Sequence, residues 1–150
     1  MRLCTFEIRT SLGRHWRLGA AVPRGIVDLN FTCAWHLARK GEPRPYAMAD
    51  VLVPDSMLGM IQGGLTSTGF ARAALEALQS EIDAGRTPAG MNGETLLYSP
   101  GAAKLIAPLP HPTSLRDFYA FEDHVKKGFE KRGEPMPKEW SSPRWCHPII

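Results

Sequence analysis

MRLCTFEIRTSLGRHWRLGAAVPRGIVDLN occupies residues 1–30, and its apolar side chains recur at every second position. Cys4, Phe6 and Ile8 alternate with polar neighbours, and Trp16, Leu18, Ala20 and Val22 repeat the period of two that places one set of side chains on one face of a strand. Ser11-Leu12-Gly13 supplies a hairpin turn between these runs. Pro23-Arg24-Gly25 presets a second turn before Ile26-Val27-Asp28-Leu29. Residues 1–29 therefore read as three short antiparallel strands.

Beyond this stretch the period changes. Asn30 is a good helix N-cap, and Phe31, Ala34, Trp35 and Ala38 follow i, i+3, i+4, i+7 before the stop signals Arg39-Lys40-Gly41. Ala71, Ala74, Leu75, Leu78 and Ile82 form one apolar stripe that predicts a helix over 69–84, with Gly85 to close it, and a shorter helix fits 55–61. The short apolar runs 96–98 and 104–107, separated by Ser99-Pro100-Gly101, read as a return to the sheet. Pro108, Pro110 and Pro112 then exclude regular helix or central strand, which makes 108–112 a stiff connector. The fold class is α+β. Residues 1–107 are expected to form a small antiparallel sheet or partly open barrel with two to three helices, and residues 113–150 to open a second domain.

Composition narrows the setting. The chain has 150 residues, 43% hydrophobic and 22% charged, close to average globular usage and without the ~20-residue apolar run of a membrane span. The first residues lack the ~7–15-residue apolar core of a secretory signal. Cys4, Cys33 and Cys146 are odd in number and widely spaced, so they read as reduced thiols in a cytoplasmic protein. Cys146-His147 has no second pair to complete a zinc site. A net charge of +3 is too small to demand nucleic acid or membrane lipid as partner, and Trp140 and Trp145 stand in no RNA-binding motif.

The chemistry concentrates after the connector. Ser114-Leu115-Arg116-Asp117 has capping-box spacing, which predicts a helix from Leu115 through Val125. On that helix Asp117, Phe121 and His124 would share a face. Seven residues at about 1.5 Å each separate Asp117 from His124 by roughly 10 Å, too far for both to grip one ion. A hard carboxylate and a proton-accepting imidazole suit two jobs at one site. Glu122 and Asp123, about 100° apart on a helix, read as a solvated face. Lys126, Lys127, Lys131 and Arg132 read as solvated helix charge that can also draw an acidic substrate.

The run Asp117-Phe118-Tyr119 followed by His124 resembles the motif of the fumarylacetoacetate hydrolase family. Arg17-Leu18-Gly19-Ala20, Gly25-Ile26-Val27-Asp28-Leu29 and Leu105-Ile106-Ala107-Pro108-Leu109-Pro110 are similar to its bacterial members, so the likeness covers nearly all of residues 1–140. The resemblance implies a metal-dependent hydrolase of the catabolism of aromatic compounds, tyrosine among them, that cleaves a carbon–carbon bond in a small acidic diketone. It implies Asp117 as ligand of Mg²⁺ or Ca²⁺, Tyr119 as substrate contact and His124 as base on water, with Arg132 one residue short of a substrate-binding arginine. It also implies a homodimeric full-length protein. Isomerases and decarboxylases of the family use much the same site.

The family's other metal carboxylates belong to a β-rich catalytic domain that follows this histidine segment, so the 150 residues alone are expected to be inactive. Residues 141–150 depart from the aromatic-rich strand expected after Glu139-Trp140, which suggests a truncated or frame-disturbed end. A reading from another class makes residues 1–107 a non-catalytic module for binding or dimerisation, since that region holds most apolar residues and none of the motif.

Overall fold

The alternation of the first thirty residues becomes a meander of β1 (Arg2–Thr10), β2 (Gly13–Val22) and β3 (Gly25–Asp28). The structure, a computed structural model, describes residues 1–11, 13–115 and 121–137. Both turns fall where the sequence placed them, with Gly13 and Gly25 at φ of 123° and 140°, values that favour glycine. At Gly25 a Cβ would also overlap the Tyr98 carbonyl oxygen, so no other residue fits. The runs at 96–98 and 104–107 contribute β4 (Leu97–Tyr98) and β5 (Lys104–Ile106), which flank the meander in the order β4-β3-β2-β1-β5. All pairs are antiparallel and the edges are β4 and β5. The sheet is therefore open, which settles the choice between sheet and barrel.

Register divides the sheet into two faces. Leu18 stands opposite Thr5, and Ala20 opposite Val27, so Leu18, Ala20 and Val27 share a face. That face packs into one buried cluster with Leu29, Cys33, Ala34, Met60, Ala71, Ala74, Leu78 and Leu96. The other face carries Phe6, Arg17, Gly19 and Asp28. A Cβ at Gly19 would press into the Phe6 ring, which itself meets the Tyr98 ring at 5.3 Å.

Three helices cover the core face: α1 (Leu29–Arg39), α2 (Pro45–Leu52) and α3 (Met57–Asp83). The cap of α1 is Asp28 and not Asn30, because the Asp28 carboxylate accepts from the Phe31 N–H at 3.0 Å. Asn30 is instead a buried connector, donating to Asp50 at 3.0 Å and to the Val53 carbonyl at 2.9 Å. Neither apolar period nor capping signal marks α2, an eight-residue helix with Pro at its start and no side-chain cap. The stretches expected as helices at 55–61 and 69–84 are the two ends of α3, joined across Gly64, whose φ of 57° and ψ of −135° are non-helical. Gly85, at φ 77°, follows its C-terminus.

The chain forms two compact units, Met1–Pro110 and His111–Ile150. In the second, α4 (Glu122–Arg132) opens with Glu122 and Asp123, ends with Lys131 and Arg132, and stops at Gly133 in the left-handed conformation, an arrangement that matches charge to the helix dipole. This corrects the helix expected from Leu115 through Val125. Phe121 is extended, with φ −110° and ψ 112°, so it cannot lie inside a helix that reaches His124. Among the described residues no helix is long and apolar enough to cross a membrane.

Candidate functional site

His124 sits in the first turn of α4, exposed, and its ring makes no hydrogen bond to a described residue. It borders an open concavity of about 480 Å³ lined also by Lys127, Gly128, Glu130 and Lys131. Lys127 and Lys131 follow at i+3 and i+7 on the same helical face, with the Glu130 side chain in the same lining. Two lysines against one glutamate give the face a positive excess that draws anions.

Arg132 does not join it. Its guanidinium lies 4.4 Å over the Phe129 ring and 3.4 Å from a Glu134 carboxylate oxygen. Eight helical residues place it roughly 12 Å along the axis from His124. Asp117 and Tyr119 lie outside the described residues. The helical register that was to bring Asp117, Phe121 and His124 onto one face does not hold at Phe121, as its dihedral angles show.

A Mg²⁺ or Ca²⁺ ion calls for about six oxygen donors. Among the described residues no three His, Cys, Asp or Glu side chains group closely enough to hold an ion, and the side chains next to His124 on its face are cations. The described residues therefore do not fit a hard divalent metal.

Sequence reasoning missed the densest polar centre, which lies in the first unit. Arg17 grips Asp28 with two hydrogen bonds, one of them from Nη2 at 3.1 Å, and Nη2 also donates to Asn30 at 3.2 Å. Asp55 stands 3.7 Å from Nη1, and the guanidinium stacks 3.7 Å over the Phe31 ring. The Leu18 N–H donates to the Asp55 carbonyl at 2.6 Å, which closes the β2 edge where β3 leaves for α1. Burial pushes the Asp28 carboxyl up, against the pull of Arg17 and the Phe31 N–H. Burial also works against the Arg17 charge, but Asp28 outweighs it and the guanidinium pKa is raised. Every polar group here has a partner, so the centre ties β2, β3, α1 and the 53–55 loop together and offers no reactive atom. An arginine within an otherwise alternating strand was its only sequence signal.

The two described thiols, Cys4 and Cys33, are not reactive either. Burial pushes Cys33 up to about 11 and raises Cys4 as well, which leaves both protonated near neutrality. His36, on α1, has a lowered pKa from burial and from Lys40 and Arg39, and its Nε2 is buried without a hydrogen-bond partner among the described residues. No family model, no curated protein and no solved structure matches this chain.

Proposed function

We propose that this chain is the N-terminal part of a cytoplasmic fumarylacetoacetate hydrolase-family enzyme that hydrolyses a carbon–carbon bond in a small acidic diketone. The observation that carries the reading is His124, an exposed imidazole at the start of α4 facing Lys127 and Lys131, seven residues after Asp117 in the Asp-Phe-Tyr…His run. His124 would take a proton from water as the water oxygen attacks a carbonyl carbon. The carbon–carbon bond then breaks, its electron pair leaves with the departing carbon, and the imidazolium returns the proton there. Lys127 and Lys131 would draw the anionic substrate toward the ring. The metal-ligand role of Asp117 and the substrate contact of Tyr119 belong to the same proposal and rest on the resemblance alone. Isomerase or decarboxylase chemistry at the same site would need the same base.

The test joins residues 1–140 to the catalytic domain of a fumarylacetoacetate hydrolase-family enzyme, in place of that enzyme's own N-terminal part, and measures hydrolysis of fumarylacetoacetate. A working chimera should lose about 100-fold or more in kcat with His124→Ala, as expected for a general base. A chimera that folds but is inactive, or one in which His124→Ala stays within a few-fold, rejects the reading. The second reading, a non-catalytic module in residues 1–107, is favoured by one observation. The buried cluster spans residues 18–96 and includes nothing from α4.

A further inference from the structure

The groove between α1 and α3 holds two adjoining hollows of about 350 Å³ each, near the lower end of the size range of small-molecule sites, about 300–1,000 Å³. Their walls differ. Leu37, Leu65, Gly69, Phe70 and Ala73 line the first, and Arg39, Ala77, Ser80 and Glu81 the second. His36 and its i+4 neighbour Lys40, at the C-terminal end of α1, border both. Lys40 is exposed and makes no ion pair with a described residue. Arg39 stacks 4.9 Å over the Trp35 ring and donates to Glu81, whose other oxygen accepts from Arg86. The one carboxylate in the lining is thus shared by two guanidinium groups, and the seam between the hollows keeps an excess of positive charge. At the end of α1 the carbonyls of Leu37 and Ala38 are taken up by the N–H groups of Lys40, Gly41 and Glu42.

Hydrogen-bonding capacity is unmet on the same side of α1. The Oγ1 of the fully buried Thr32 and the Nε2 of His36 have no partner among the described residues, and Thr32, His36 and Lys40 stand at i, i+4, i+8 on one helical face. Buried polar atoms are paired in about 90% of cases or more, so this row calls for a group that the chain does not supply. We infer that the groove binds a small monocarboxylate with an apolar body. The body lies in the first hollow against Leu65, Phe70 and Ala73, and the carboxylate lies at the seam bordered by His36 and Lys40. Both parts are needed. A neutral apolar molecule brings no charge to Lys40, and an anion as small as acetate leaves the apolar hollow to water. A cationic amphiphile sets like charge against Lys40 and Arg39. Burial, then the charges of Lys40 and Arg39, lower the His36 pKa, and a neutral imidazole still has one N–H to donate to a carboxylate. The inference does not depend on the hydrolase reading, which concerns α4.

Titration of the full chain with sodium octanoate, followed by calorimetry and by the histidine ring signals in nitrogen–proton NMR spectra, tests it. Octanoate should saturate a single site with a Kd below about 1 mM. The His36 signals, assigned with His36→Gln, should move while those of His124 stay. Octanol and octylammonium, which keep the chain and change the head, should bind at least about tenfold more weakly, as the loss of a charged hydrogen bond implies. Lys40→Gln should weaken octanoate by about the same factor. Ala73→Leu, at an exposed position, narrows the first hollow and should weaken it further, and both variants should keep the circular-dichroism spectrum and Tm of the parent. Absence of saturable octanoate binding overturns the inference. So does octylammonium that binds as tightly as octanoate, octanoate binding that is indifferent to Lys40→Gln or to Ala73→Leu, or a titration that moves the His124 signals and leaves those of His36 in place.

Discussion

Arg17 and Asp28 show how one residue of an alternating strand can matter more to the fold than the apolar positions beside it. The Arg17 side chain is 12% exposed and that of Asp28 fully buried, so water replaces neither partner when the other is lost. Removing one member of a buried pair leaves an uncompensated charge, at a cost of about 3–5 kcal/mol. Arg17→Met is therefore expected to destabilise by about that amount in urea denaturation. The double variant Arg17→Met with Asp28→Asn should recover most of it, since Asn still caps α1 and carries no charge. A single variant within about 1 kcal/mol of the parent would mean that the pair is only a surface interaction. The same residues explain why Asn30 was misread as the cap. Two good capping types stand two positions apart, and the choice between them depends on Arg17, Asp50 and the Val53 carbonyl, groups that propensity does not see.

Elements whose signal is local were legible, and those whose signal depends on distant partners were not. The three strands of the meander, the turns at Gly13 and Gly25 and the apolar stripe of α3 follow from period and turn chemistry. The eight-residue α2 has no cap and leans on α1 and α3, as short helices generally need tertiary packing. The start of α4 was misplaced because Asp117 and the pair Glu122-Asp123 both look like first-turn acids, and only the extended Phe121 separates the possibilities. Of the candidate site, His124 and Arg132 fall on α4 but apart from each other, while Asp117 and Tyr119 lie outside the described residues. One link between elements titrates in an accessible range. Glu81 on α3 accepts from Arg86 and, at 2.7 Å, from Arg39 on α1, and these guanidinium groups hold its carboxyl down at about 2. A carboxyl that is lower in the folded state adds stability that is full above its ordinary value of 4.5 and fades as pH falls toward 2. The difference in Tm between the parent and Glu81→Gln should therefore be largest above about pH 5 and shrink below about pH 4. A difference that stays constant from pH 7 to pH 3 would show that Glu81 is not ionised in the α1–α3 link.

At the scale of the molecule, the division into Met1–Pro110 and His111–Ile150 separates a packed core from the helix that bears the proposed base. The core cluster takes its buried members from β2, β3, α1, α2 and α3, together with Val53 and Leu96. The edge strand β5 is paired to β1 before the proline run is complete, and the Thr5 hydroxyl donates to the Pro108 carbonyl at 2.6 Å. All of these contacts lie within the first 110 residues, a length in the ordinary range for an independent domain. A polypeptide of residues 1–110 should then unfold cooperatively, with a Tm within a few degrees of the full chain by circular dichroism, because no member of the cluster is lost. A chimera built on it has no base at position 124. If the truncated chain lacks a cooperative transition, the second unit is part of the core and the division is not one of stability.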